Sequence, residues 1–355
     1  MTDSTPPGID FAGVSRFFAE RIEGGDAPLD FAMISGGRSN LTYRVTAPGR
    51  EWVLRRQPLG HVLPTAHDMA REYRVLAALA PTAVPVPRPF ALCEDNSVTG
   101  SPFYVMEYRH GVVANEDDFP PGLVDTPQDR KALSIAVADT LAKLHGVDYR
   151  AVGLEDFGRP EGFLERQLRR WSEQWSRSNT RELPEIEELV RRLRLSLPAS
   201  RPATIVHGDY RLGNMAVTWG PVISGIFDWE MATLGDPLTD LGWLLTSWGE
   251  TTDSRRVIEM GRITFVTAKP GFLTRAKLAA EYGRRSGIDV SNAEWYELFA
   301  YFKRAVIIEG IWARFQAGET VGEGFEKFDQ ARDFVRHALT RAEQAADPRL
   351  RGAAS

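Results

Sequence analysis

Residues 205–245 read IVHGDYRLGNMAVTWGPVISGIFDWEMATLGDPLTDLGWLL, and the placing of acids and one amide in this stretch decides the fold. Ala203 to His207 is a short β-rich run that delivers Gly208-Asp209 into a tight loop, where the small glycine lets the carboxylate project. Asn214 follows and precedes a second apolar run, Met215 to Trp219. Gly220-Pro221 signals a turn, and Val222 to Phe227 reads as a return strand ending in Asp228. Such a hairpin brings Asn214 and Asp228 to one end. An amide and a carboxylate there can share a hard cation, and Asp209, one loop away, can accept a proton from an attacking hydroxyl. The set suits phosphoryl transfer. The alternative, a solvated acidic loop, would need these spacings to coincide by chance with the right local structure.

Composition bounds the rest. A chain of 355 residues exceeds the usual single core, so two lobes are expected: residues 1–110, mixing strands with one helix, and 111–355, mainly helical. This is an α+β chain with a small β-rich first lobe and a larger helical second one. The formal charge of −5, with no long basic run, argues against a nucleic-acid partner. Cys93 is the only cysteine, so no intramolecular disulfide forms, as suits a reducing cytoplasm. The amino terminus lacks the basic and apolar regions of a signal peptide. No apolar run approaches the ~18 residues that span a bilayer, so no membrane partner is expected. The ends, residues 1–8 and 347–355, read as frayed.

In the first lobe, ISGGRSNLTYRV (34–45) sets Gly36, Gly37, Ser39 and Asn40 between β-rich flanks. This hairpin tip either covers phosphates with its amides or simply reverses the chain. The next strand, 51–56, alternates Val53 and Arg55 against Trp52, Leu54 and Arg56. The helix expected from about Ala66 to Ala80 has an apolar stripe of Met69, Tyr73, Leu76 and Leu79, and Glu72 lies inside it. A carboxylate on a buried face needs a cation, and Arg55 is the favoured partner; the other reading has Glu72 reaching water from the stripe's rim. Prolines at 81, 85, 87 and 89 then exclude helix, and FYVMEY (103–108) reads as a strand.

In the second lobe, Thr126-Pro127-Gln128-Asp129 is a helix-capping signal, and that helix runs to about His145, a packing or capping residue. Residues 161–197 are helical and highly charged. There Trp171 and Trp175 form either core or an aromatic wall for a substrate, with Arg166, Arg169 and Arg170 beside them. Asp236-Pro237 starts another helix with Asp240 pointing inward, and 292–315 and 325–346 read as further helices.

The HGDYRLGN loop and the DWE that closes the hairpin resemble the aminoglycoside phosphotransferase and choline kinase superfamily, over roughly residues 30–340. HDMAREYRVLAALAPTAVPVPRPFALCEDNSVTGSPFYVMEY is similar to its branch associated with acyl-CoA dehydrogenases. The resemblance implies a two-lobed protein-kinase-like fold and an ATP-dependent phosphotransferase acting on an alcohol group. Asp209 would be the base, Asn214 and Asp228 the Mg2+ ligands, and Asp240 and His207 supports of the loop, with Glu230 an acid behind the metal. The loop with Gly36, Gly37, Ser39 and Asn40 would cover the phosphates. Backbone near Glu107 and Arg109 would hold adenine, with Val53 above it and Met106 behind. Arg55 stands where the superfamily carries a phosphate-binding lysine, and no lysine precedes Lys131. Its planar fork clamps two oxygens but is no geometric copy of an ammonium. The acceptor implied is a hydroxylated metabolite such as a hydroxyacyl-CoA. A true aminoglycoside kinase, or a nucleotide-binding pseudokinase with a regulatory role, remains open. The oligomeric state is not legible.

Overall fold

The computed structural model describes residues 6–35, 40–59, 68–114, 118–254, 257, 264–319 and 329–352. The chain divides into two compact units, Met1–His110 with Gly225–Glu230, and Gly111–Ser224 with Met231–Ser355. The short segment 225–230 therefore groups with the first unit, although it lies far along the chain.

The first unit is built on an antiparallel sheet of five strands: β1 (Asp30–Ser35), β2 (Leu41–Ala47), β3 (Arg50–Arg56), β4 (Pro89–Cys93) and β5 (Phe103–Glu107), ordered β1-β2-β3-β5-β4. Helix α1 (Phe11–Arg21) is capped by Asp10, whose side chain accepts from the Gly13 amide at 2.9 Å. It lays Val14 and Phe18 on Tyr43, Val45, Leu54, Phe103 and Val105, and Phe18 meets Trp52 edge to face at 5.6 Å. Cys93 is buried in this core as a free thiol. Helix α2 (Met69–Leu79) starts at its cap Asp68, and its buried face is Met69, Glu72, Val75, Leu76 and Leu79. Val75 takes the place that the sequence pattern gave to Tyr73, which is half-buried. A helical turn, α3 (Asn96–Thr99), closes the β4–β5 connection.

The second unit is mainly helical. Helix α4 (Pro127–His145) opens with the expected capping box between Thr126 and Asp129. The charged stretch beyond it is two helices, α5 (Phe163–Ser178) and α6 (Pro184–Leu195), the second starting at Pro184, a residue that suits a helix's first turn. Short ladders follow: β6 (Thr204–Val206) pairs antiparallel with β9 (Thr233–Gly235), and β7 (Met215–Thr218) with β8 (Val222–Ile226). Helices α7 (Leu238–Thr246), α8 (Thr264–Thr267), α9 (Arg275–Ser286), α10 (Ala293–Gln316) and α11 (Ala331–Ala342) complete it. α10 is the central helix, packing on α5, α6, α7 and α11. Its approach to α7 needs Gly242, because a Cβ there would lie 2.3 Å from the Tyr296 carbonyl oxygen. The carboxy-terminal segment expected to fray is anchored as far as Gly352: Leu350 is buried and its carbonyl accepts from Arg192. Among the described residues no helix is long and apolar enough to cross a membrane.

Candidate active site

In the second unit β6 carries the chain into a loop whose backbone is pinned from below. The buried Asp240 carboxylate of α7 accepts from the amides of His207 at 2.7 Å and Gly208 at 2.8 Å. Behind it His145 sits 3.3 Å from Asp240 through Nε2 and 2.7 Å from the Tyr282 hydroxyl through Nδ1, so this histidine packs and bonds within the interior. Gly208 has φ +84°, and a Cβ would lie 2.6 Å from the Met231 carbonyl oxygen, so only glycine fits. The Asp209 amide then donates to His207 Nδ1 at 3.2 Å. These bonds fix the loop backbone up to Asp209, as the resemblance implied of Asp240 and His207.

The Asp209 carboxylate is held by three side chains. Trp243 Nε1 donates to Oδ1 at 2.5 Å, Asn214 Nδ2 to Oδ2 at 2.8 Å, and Arg211 Nε lies 3.2 Å from both oxygens. Burial opposes its charge, but Arg211, His207, the Asn214 bond and Arg304 outweigh that and hold its pKa below the usual carboxylate range. It is a fixed anion at neutral pH. Asn214 also donates to the Asp209 carbonyl at 2.9 Å. Both of these bonds are made by the amide nitrogen.

The first unit holds a second cluster. Arg55 of β3 donates through Nε to Glu72 at 2.9 Å and through Nη2 to Asp228 at 2.5 Å. Glu72, 1% exposed, also accepts from Tyr104 at 2.9 Å and Asn40 at 2.8 Å. Burial pushes the Glu72 carboxyl up while Arg55 pulls it back; Arg55 itself, although buried, is held firmly cationic by Glu72, Tyr104, Asp228 and Glu230. Asp228 has φ +66°, the one non-glycine residue in the left-handed region among those described. Aspartate tolerates this better than most residues, and held conformations of this kind gather at functional sites.

Other expected residues fall as follows. Gly36, Gly37 and Ser39 lie outside the described residues. Asn40 is buried, and its amide serves Glu72 and, at 3.5 Å, Glu230. Val53 and Met106 are cross-strand partners of β3 and β5, both buried. Glu107 accepts from the Arg88 amide and pairs with Arg109 at 3.1 Å, and Arg109 also donates to the Val86 carbonyl. No group of three or more His, Cys, Asp or Glu capable of holding a metal occurs among the described residues. Mg2+ is commonly bound by only one or two protein oxygens together with substrate phosphates and water, so a site for it need not form such a group. Sequence reasoning passed over Trp243, Arg211, Lys303 and Arg304. For the last two a signal existed: adjacent cations inside the apolar run FAYFKRAVII.

A strand-rich unit with an arginine–glutamate pair, and a helical unit with an anchored Asp-Asn loop, define a phosphotransferase of the kinase-like class. The chain belongs to the phosphotransferase enzyme family, whose model matches residues 30–284. It is 35% identical over 294 residues to acyl-CoA dehydrogenase family member 10 of Mus musculus, a match covering 82% of this chain and 27% of that protein. The chain thus spans about a quarter of that relative's length. Its fold superposes with TM-score 0.80 on a candidate aminoglycoside phosphotransferase from Ralstonia eutropha JMP134, 32% identical, covering 95% of this chain and 99% of that one. The ternary complex of a thermostable mutant of aminoglycoside phosphotransferase APH(4)-Ia with ADP and hygromycin B has the same fold, at TM-score 0.60 and 14% identity, covering 92% and 97%.

Proposed function

We propose that the chain transfers the γ-phosphoryl group of ATP to a hydroxyl of a small metabolite in the cytoplasm. The observation that carries this is the Asp209 carboxylate: ionised, aimed by Trp243 and Asn214, and set on a loop whose amides are fixed by Asp240. A base so held takes the acceptor's proton as its oxygen bonds to the γ-phosphorus and the bridge to the β-phosphate breaks, releasing ADP. Asn214 and Asp228 would hold Mg2+, which when bound neutralises charge on the phosphates. Arg55 donates to phosphate oxygens, and Glu72 keeps it in position. Val53 and Met106, with backbone near Glu107 and Arg109, serve the adenine, and the stretch with Gly36, Gly37, Ser39 and Asn40 the phosphates. The likeness to a protein named as an acyl-CoA dehydrogenase family member supports a hydroxyacyl-CoA or related acceptor.

The test is Asp209→Asn, which keeps an acceptor oxygen for Trp243. Nucleotide binding should persist while turnover falls by roughly two to four orders of magnitude, the usual worth of a positioned general base. Unchanged turnover removes Asp209 from the mechanism. A second reading, a nucleotide-binding regulatory module, is favoured by one observation: Arg55 is already engaged by two carboxylates. Nucleotide binding with no turnover in the native chain, on any hydroxyl compound, would select it.

A further inference from the structure

The second unit carries a cationic corner that the phosphoryl-transfer machinery leaves unexplained. α10 sets Lys303 and Arg304 side by side. Lys303 Nζ donates to the Gly208 carbonyl at 3.0 Å, one residue from Asp209, and lies 4.4 Å from the centre of the Trp243 ring and 5.5 Å from that of Trp171. The Arg304 guanidinium stacks 4.5 Å from the Trp243 ring and donates through Nε to Thr246 at 2.7 Å. Two donors here are shut off from solvent without a hydrogen-bond partner: Arg304 Nη2 and Trp171 Nε1. An unsatisfied buried donor costs about 1–3 kcal/mol, so two of them beside an ammonium call for a ligand rich in acceptor atoms.

The charges agree. Arg170, Lys303, Arg304 and Arg211 act on one another or on Asp209, and the acids in reach are Asp209, held by three donors, and Asp240, committed to two loop amides. A polyamine acceptor would meet net positive charge here. An anionic one would meet three donors, while the Trp171 and Trp243 faces are already taken up by the Lys303 ammonium and the Arg304 guanidinium.

We infer that Trp171, Lys303 and Arg304 form a subsite for an anionic group, carboxylate or phosphate, borne by the phosphoryl acceptor near its reacting hydroxyl. The inference rests on the phosphotransferase reading for the word acceptor, and on geometry alone for the anion. Lys303 and Arg304 are specificity residues; the proton still passes to Asp209.

Four compounds on one carbon skeleton test it with the whole 355-residue chain: glycerol, glycerate, glycerol phosphate and aminopropanediol. Binding is read by tryptophan emission and calorimetry, and ATP turnover is followed in parallel. Glycerate or glycerol phosphate should bind at least tenfold more tightly than glycerol or aminopropanediol, and whichever anion wins identifies the group taken. Lys303→Met and Trp171→Phe, the latter losing the Nε1 donor and part of the ring but keeping an aromatic face, should each reduce that preference about tenfold, Lys303→Arg should recover part of it, and melting curves check folding. Anion binding without turnover on any acceptor counts against the phosphotransferase reading and for the anion site. Equal binding across the series, no binding, or a preference untouched by both Lys303→Met and Trp171→Phe overturns the subsite.

Discussion

Arg55 bridges Glu72 and Asp228, so at the level of single residues its charge is shared between an interior carboxylate and a presented one. Removing one member of a buried pair strands the other, at about 3–5 kcal/mol. Arg55→Ala strands the interior Glu72 and should lower unfolding free energy by about that much, Glu72→Ala should cost less because Asp228 still pairs with Arg55, and in a double-mutant cycle the two changes should be strongly non-additive in both denaturant midpoint and nucleotide affinity. Simple additivity would mean that the pair is not coupled. Lys303 supplies a second test. Burial pushes its pKa down from 10.5 to about 8, against Asp209 and Asp240 and helped by Arg304 and Arg170. Below pH 8 the group is protonated in both the folded and unfolded chain, and folding carries the full penalty. Between about pH 8 and 10.5 only the unfolded chain holds the proton, so the penalty is relieved and stability rises with pH. Denaturation midpoints of the native chain, taken relative to Lys303→Met, should climb across that window; a flat difference would mean that folding leaves the ammonium unperturbed.

The elements differ in how much of their role their own sequence carries. α4 was readable because its capping box is local: Thr126, Pro127 and Asp129 need no distant partner. α2 was half readable. Its stripe announced a buried Glu72, and a buried carboxylate demands a cation, but that Val75 and not Tyr73 faces inward depends on what packs against it. The extent of α10 was legible, 292–315 against the observed Ala293–Gln316, but its role was not, since burial around much of its first half erases the one-sided pattern. The contact of Lys303 with Gly208 joins residues remote in sequence, and nothing nearby signals it. For the same reason the bond from the buried Asn40, which read as a loop-tip residue, to Glu72 was not legible. α7 gives an experiment at this scale. Asp240→Asn keeps the shape but replaces one acceptor oxygen with a donor nitrogen facing an amide, so one of the two loop bonds must break. Turnover should fall at least tenfold with nucleotide affinity nearly preserved, and the His207 and Gly208 amides should lose protection from hydrogen exchange. Unaltered exchange at both amides would show that the loop stands without α7.

Across the whole molecule, the division of the chain does not follow its order. Gly225–Glu230 belongs with the first unit, where the Ile226 amide donates to the Pro85 carbonyl at 2.8 Å and Asp228 meets Arg55. A sequence-based boundary at residue 110 assigns that segment to the other unit, because the strand-rich reading ends there and chain continuity suggests nothing else. The consequence is measurable. A fragment of residues 1–110 should melt well below the same fragment supplied with 225–230 through a flexible linker, and Arg55→Leu, which removes the buried charge, should narrow the gap. Equal melting temperatures would mean that the inserted segment contributes nothing to the unit.

Cys93 is the chain's lone thiol, and it lies in the core of the first unit, where burial raises its pKa and starves it of thiolate. The native protein is thus close to silent towards maleimides. A cysteine introduced at Trp219, 68% exposed at the tip of the β7–β8 hairpin, together with one at Phe11, 49% exposed at the start of α1, would be the only two addresses open to dyes. Energy transfer between them would give a ruler for following the two units through a catalytic cycle, with no background cysteine to delete first.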